Sequence, residues 1–243
     1  MAGTHTRGAL TWTAGLLGAA AGAYAGYVGT TWLRYGHPAP AGADASDPML
    51  DRFMPVCDVA ERHHIHVAAP ADITYAAACE QDLAAPPVAQ AIFRAREVLL
   101  GSAPDTTARP RGLLAFTKSI GWGVLAETAG REIVMGAVTQ PWEANVVFHP
   151  LPPSEFIAFN EPGYVKIVWT LRADAIDANS SIFRTETRAV ATDASARSKF
   201  RRYWSFLSPG IILIRWASLR PLKADAERRV AARHETRRAS PRT

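Results

Sequence analysis

The stretch F-R-R-Y-W-S-F-L-S-P-G-I-I-L-I-R, residues 200–215, decides the fold predicted for this chain. Its apolar residues recur at steps of three and four, which is the spacing of one face of an α-helix. The stripe continues to Leu222 and predicts a long C-terminal helix that begins at Ser195. Pro209-Gly210 lies inside it and predicts a kink, because proline removes a helical hydrogen bond. Such a helix needs a second layer to cover its apolar face.

The residues before this helix alternate between apolar and polar, which is typical of β-strands with two unlike faces. Ala129-Gly130 separates two of these strands and is predicted to form a hairpin turn. A strand near the start of the domain precedes two predicted helices. The order is strand, two helices, antiparallel meander and long helix, which predicts an α+β fold. The predicted strands are 59–69, 121–128, 131–139, 144–148, 164–174 and 181–192, and the two early helices are 70–85 and 88–100.

The net charge of +5 is confined to the C-terminus. From Arg220 to the end there are eight Lys/Arg and three Asp/Glu, so residues 1–219 are formally neutral. A nucleic-acid-binding domain carries its basic surface on the fold itself, so this distribution argues against one. The basic residues are predicted to form a tail, 226–243. Two alternatives stay open for it: a solvated helix end without a partner, and a segment that anionic lipid head groups attract.

The N-terminal segment from Gly8 to Leu33 contains 26 residues without a charge. As a helix it spans about 39 Å, against roughly 30 Å of bilayer hydrocarbon. We expect a single-pass transmembrane anchor at 1–34, a Pro/Ala/Gly/Asp-rich linker at 35–56 and the folded domain at 57–225. Two alternatives stay open: a signal peptide cleaved near Ala23-Tyr24-Ala25, and a buried helix of a soluble protein.

Gly18, Gly22 and Gly26 lie at four-residue spacing in this segment and predict a face that packs against another helix. One arginine flanks each end, so the orientation in a membrane stays undecided, with a lean to a cytoplasmic domain because of the basic tail.

The stretch E-R-H-H-I-H, residues 61–66, raises the question of a metal site. Alternation places Glu61, His63 and Ile65 on the inward strand face, while Arg62, His64 and His66 face water. No further His, Cys or Asp cluster has ligand spacing, so we predict no metal and no cofactor. His63 is the histidine that we expect in a pocket.

Four features together resemble the START-like superfamily (SRPBCC), which includes polyketide cyclase, birch-pollen-allergen and aromatic-ring-hydroxylase-type domains. These features are the step Val67-Ala68-Ala69-Pro70, the strand with Trp169, the strand F-R-T-E-T-R-A-V (183–190) and the final helix. Residues 121–142 are similar to an uncharacterised bacterial branch. The resemblance implies a helix-grip fold, in which a curved antiparallel sheet wraps around the C-terminal helix. It also implies a cavity between them for hydrophobic or amphipathic ligands.

The predicted ligand-binding residues point from the sheet and the final helix into that cavity. They are His63, Trp122, Met135, Trp169, Phe183, Thr185, Thr187, Tyr203, Leu207 and Ile211. Phosphate-loop and G-x-S-x-G motifs are absent from the sequence, so no catalytic residue is predicted. Glu143 and Glu161 are weaker acid/base candidates at the rim, and Arg184, Glu186 and Arg188 are expected on an exposed strand face.

Three functional classes remain open at this level. The favoured one is a membrane-anchored domain that binds a hydrophobic or amphipathic small molecule such as a lipid or polyketide. The second is a cyclase- or hydrolase-like enzyme, which two ionisable groups within hydrogen-bond reach would favour. The third is a non-catalytic subunit of a membrane assembly. Cys57 and Cys79 can form one disulfide if the domain is exported.

Overall fold

The computed structural model describes residues 4–42, 45–82, 87–101 and 110–239. The helices are α1 (Thr4–Arg34), α2 (Pro48–Asp51), α3 (Ala71–Glu80), α4 (Pro87–Leu100), α5 (Leu113–Ser119), α6 (Pro153–Ala158) and α7 (Ala194–Ala239). The strands are β1 (Val59–Val67), β2 (Gly123–Thr128), β3 (Glu132–Thr139), β4 (Phe148–His149), β5 (Val165–Ala175) and β6 (Ser181–Ala191).

The strands form one antiparallel sheet in the order β1-β6-β5-β3-β2, with β4 paired to β3. The first strand therefore pairs with the last one, and His63 lies opposite Thr185. The helix α7 contacts β1, β5 and β6. This α+β arrangement, with a long C-terminal helix on an antiparallel sheet, fits the helix-grip fold and confirms the predicted class.

The inner face of the sheet, which α3 and α7 cover, holds the larger core. Met135, Trp169, Leu171 and Phe183 pack there against Leu219, Leu222 and Ala226 of α7 and Ile73 of α3. Burying each large apolar side chain contributes roughly 1.5–3 kcal/mol. The alternation seen in the sequence therefore identifies the core face correctly.

The outer face of the sheet is also covered, which the sequence did not predict. Leu50, Phe53 and Met54, in the segment predicted as a linker, pack with Phe156 of α6 against Val168 and Val134. Glu186 and Arg188 are consequently 5% exposed, so their predicted exposure is wrong. The alternation of residues along a strand predicts which side chains share a face of the sheet. It does not predict which other segment packs on that face. Arg184, in contrast, keeps part of its surface accessible.

The helix α1 packs on α7. Tyr24 donates to the carbonyl of Phe206 (2.8 Å), and the hydroxyls of Tyr27 and Ser208 lie 2.9 Å apart. In the described part of the chain no helix is both long and apolar enough to cross a membrane, so the predicted span is not supported. No described atom lies within 4 Å of a Cβ built on Gly18, Gly22 or Gly26. The predicted partner face is therefore not supported either.

The helix α7 is longer than the apolar stripe indicates, since it continues through Pro209 and Pro221 to Ala239. Ala226 is fully buried, so the inner core extends past Leu222. Two arginines of the predicted basic tail pair with Asp225: Arg228 at 3.0 Å and Arg229 at 2.8 Å. These contacts make the first part of that tail a packed helical extension.

Two short elements differ from the sequence prediction. The helix α5 was not predicted, because its N-cap residue Gly112 offers no side-chain capping signal. The short strand predicted at 144–148 is replaced by β4 at Phe148–His149. Cys57 and Cys79 are free and pack against the outer-face and inner-face cores respectively.

Candidate functional site

Polar side chains interrupt the apolar inner face where β1 meets β6. Glu61 lies opposite Thr187, and His63 lies opposite Thr185, whereas Ile65 lies opposite Phe183. All of these positions share one face because side chains alternate along each strand. The two paired strands β1 and β6, and not a loop, therefore hold these polar side chains together; we call Glu61, His63, Thr185 and Thr187 the polar group.

Arg215 of α7 reaches this polar group from the helix side. Its Nη1 donates a hydrogen bond to Thr185 Oγ1 at 2.7 Å. Burial lowers the pKa of Arg215 to about 10, and the nearby Glu61 opposes that shift. Burial likewise raises the pKa of Glu61, against the effect of Arg215. The two groups interact electrostatically without forming an ion pair within 4.0 Å.

His63 is held neutral at this site. Burial and the charge of Arg215 lower its pKa to about 4. It is 9% exposed, and its Nε2 has no hydrogen-bond partner among the described residues. Thr187 Oγ1 is buried without a partner in the same way. A neutral imidazole can donate through one nitrogen and accept through the other, so His63 offers a specific polar contact.

A groove of about 340 Å³ opens beside His63, between β1 and α7. It is lined by Arg62, His63, His64, Ile65, Trp216, Leu219 and Arg220, and we call it the β1–α7 groove. Ile65, Trp216 and Leu219 form the apolar part of its walls, arginines and histidines form the rest, and Trp216 is 64% exposed. The volume is at the lower end of the range for small-molecule pockets.

The predicted site residues divide into three groups. His63 lines the groove, Thr185 lies opposite His63 on β6, and Thr187 lies opposite Glu61. Met135, Trp169 and Phe183 fill the inner core, and Trp122 packs edge-on against Trp169 at 5.9 Å. Tyr203 stacks on Phe200 at 6.1 Å, Ile211 packs with the same cluster, and Leu207 is half-buried. Ligand contacts stay predictions for all three groups.

Sequence reasoning missed Arg215, Trp216, Leu219 and Arg220. A signal for Arg215 was present, because Ile211, Arg215 and Leu219 are four residues apart and share one helix face. A charged residue inside an apolar stripe is unusual and marks a site that needs a partner. Glu61 was placed on the inward face by alternation, but nothing in the sequence indicated that an arginine would approach it.

A second cavity, of about 40 Å³, lies on the outer face between Asp47, Arg62, Arg172, Arg184 and Glu186, among others. It has room for water-sized groups but not for an organic ligand. Among the described residues, no three His, Cys, Asp or Glu side chains lie close enough together to hold a metal ion. His64 and His66 are exposed on β1.

No family model and no curated protein matches the chain. Three solved structures do. CalU16 from Micromonospora echinospora has 11% identity, covers 71% of this chain and 86% of its own, and has a TM-score of 0.25. The Zhui aromatase/cyclase from Streptomyces sp. R1128 has 13% identity, covers 70% and 94%, and has a TM-score of 0.21. Ara h 8.0201 has 8% identity, covers 64% and 96%, and has a TM-score of 0.18.

Because these TM-scores are low, the fold assignment rests on the chain's own topology. The pairing of β1 with β6 and the docking of α7 on the inner face are the deciding features. The chain has a helix-grip fold. The helix-grip topology that the START-like resemblance implied is therefore confirmed.

Proposed function

We propose that this helix-grip domain binds an amphipathic small molecule in the β1–α7 groove. The observation that carries the proposal is the groove itself, whose walls of Ile65, Trp216 and Leu219 are apolar while His63 provides a polar group. An apolar pocket with a few convergent polar groups is typical of small-molecule sites.

The unpartnered Nε2 of His63 supports a bound ligand with a polar end. A buried polar atom without a hydrogen bond costs roughly 1–3 kcal/mol. A ligand whose polar end reached His63 would remove that cost, while its apolar body covered Trp216 and Leu219. Binding would thus use both the hydrophobic effect and one directional contact.

The alternative is a cyclase- or hydrolase-like enzyme. Such an enzyme would need ionisable groups that transfer protons to or from its substrate. Glu61, His63 and Arg215 are ionisable and lie near one another. However, no hydrogen bond joins any two of them in the described structure, so a proton relay among them is not assembled. This arrangement favours binding over catalysis.

The experiment is a titration of the full chain with the neutral fluorescent probe N-phenyl-1-naphthylamine. Trp216→Ala is expected to weaken probe binding about tenfold, the effect of losing roughly 1.4 kcal/mol of apolar contact. Leu213→Ala is the matched control, because Leu213 is exposed on the same helix and does not line the groove. Equal affinities for the wild type and Trp216→Ala would show that the probe binds elsewhere. Native mass spectrometry of the purified chain then identifies any molecule that it carries.

A further inference from the structure

Arg215 is a partly buried cation with an incomplete set of partners. A guanidinium has five N–H donors, and Thr185 is its one hydrogen-bonded side chain among the described residues. No described carboxylate lies within ion-pair distance, although Glu61 attracts it from farther away. A guanidinium forms strong, often bidentate hydrogen bonds with a carboxylate, so the donors of Arg215 that Thr185 does not use favour an incoming anion.

The other charges around the groove do not cancel this field. Arg220 is exposed at the groove and adds a second positive charge. Arg62 is engaged by Glu186 at 2.8 Å on the other side of β1. Glu61 is the one acidic group that interacts with Arg215, and its single negative charge faces the two positive charges of Arg215 and Arg220. His63 contributes no charge near neutral pH.

Thr185 connects the cation to the groove. It accepts the hydrogen bond from Arg215 and is also the cross-strand partner of His63, which lines the groove. A polar group of a ligand that reaches His63 from the groove therefore comes close enough to interact with the positive charge of Arg215. Neutral imidazole can donate an N–H to that group, and a carboxylate accepts such bonds with both of its oxygens.

We infer that the ligand of the β1–α7 groove is an apolar molecule with a carboxylate end, and that Arg215 with His63 selects it over neutral analogues. The inference rests on the proposed function and specifies its ligand class. A carboxylate is a flat monoanion, so a groove of about 340 Å³ can hold it together with a short apolar chain. An ester or alcohol of the same length would fill the groove equally but leave Arg215 without an anion.

The test uses the full chain and displacement of bound N-phenyl-1-naphthylamine by dodecanoate, methyl dodecanoate and 1-dodecanol. Dodecanoate is expected to displace the probe at a concentration about tenfold lower than either neutral ligand, the effect of one charge-assisted hydrogen bond. Equal displacement by all three overturns the inference but leaves the proposed function standing. If the probe does not bind, or none of the three displaces it, the proposed function itself fails.

Variants then locate the selecting charge. Arg215→Met removes the charge while keeping an apolar side chain, and is expected to abolish the preference for the acid. Arg202→Met is the control, because Arg202 is exposed on the same helix away from the groove. A preference that survives Arg215→Met, or that is lost in Arg220→Met instead, overturns the role of Arg215. If circular dichroism shows that Arg215→Met does not fold, Thr185→Val tests the same point, with a reduced preference expected and an unchanged one contrary to it.

Discussion

At the scale of single residues, the charged outer face of β6 shows how burial changes the meaning of a sequence pattern. Arg188 donates to Glu186 and Asp51 at 2.7 Å and to the carbonyl of Met54 at 2.8 Å. It therefore ties the segment around α2 to the sheet. If no segment covered this face, ion pairs among Arg184, Glu186 and Arg188 would be exposed to solvent and would contribute little to stability.

Arg188→Met is expected to lower the free energy of unfolding by roughly 1.5–3 kcal/mol, because it removes charged hydrogen bonds to Glu186 and Asp51 and leaves Arg62 as the remaining ion-pair partner of Glu186. Arg228→Met is the control, since Arg228 pairs with Asp225 on an exposed surface and should cost about 0–1 kcal/mol. Urea unfolding followed by tryptophan fluorescence measures both. Similar values for the two variants would contradict the structural role of Arg188.

Gly136 lies where neighbouring side chains leave no room for a Cβ atom. A Cβ there would collide with Leu125 Cδ1 and lie 2.9 Å from its Cγ, with Phe156 Cε2 at 3.3 Å. We expect Gly136→Ala to cost roughly 1–3 kcal/mol through overpacking. Gly22→Ala is the opposite case, because no described atom is near it in α1 and alanine favours a helix by about 1 kcal/mol. Thermal unfolding should therefore shift down for the first variant and not for the second.

At the scale of elements, a carboxyl pair links α2 to β3. Burial, followed by a hydrogen bond with Asp47, raises the pKa of Glu132 from its ordinary value of 4.5 to about 7. Asp47 also caps α2 by accepting from the amide of Leu50 at 2.9 Å. The neutral form of Glu132 is thus the one that the docked α2 segment favours.

Between pH 4.5 and about 7 the folded chain binds more protons at Glu132 than the unfolded chain. The stabilisation is therefore fully present below pH 4.5 and is lost as the pH rises to about 7. His63 acts in the opposite sense, since its folded pKa is lowered to about 4. We expect the difference in unfolding free energy between the wild type and Glu132→Gln to change across this window. A constant difference, measured by urea unfolding at several pH values, would show that Glu132 does not titrate there.

At the scale of the whole molecule, α1 contacts the rest of the described structure mainly through α7, whereas Tyr35 just after it belongs to the core. Tyr35 is 6% exposed, donates to Asp58 Oδ2 at 3.3 Å and packs edge-on against Phe200 at 6.0 Å. The folded unit therefore begins at Tyr35 in this part of the chain.

Removing residues 1–33 should leave the sheet folded, because among the residues whose burial is described the core clusters contain none before Tyr35. Removing residues 1–36 should destabilise it by roughly 3–5 kcal/mol, the usual cost of deleting a buried aromatic side chain. Circular dichroism and urea unfolding of the two truncated chains measure the difference. Equal stability would mean that Tyr35 contributes little to the core.

Strand alternation, the helical stripe and the Ala129-Gly130 turn determined the fold class from the sequence alone. These signals are local, since each depends on residues within a few positions of one another. For the same reason the sequence identified His63 as an inward-facing residue. It also predicted a transmembrane span from the absence of charge, although the glycines and threonines of α1 leave no described helix apolar enough to cross a membrane.

Tertiary structure decided what covers each face. The docking of α2 buries Glu186 and Arg188, and the docking of α7 brings Arg215 to Thr185, a residue 30 positions earlier. The groove between His63 and Trp216 lies where α7 packs against the edge strand β1. Sequence periodicity determines which way a side chain points. The partner that it meets depends on contacts between residues far apart in the chain, which no local pattern specifies.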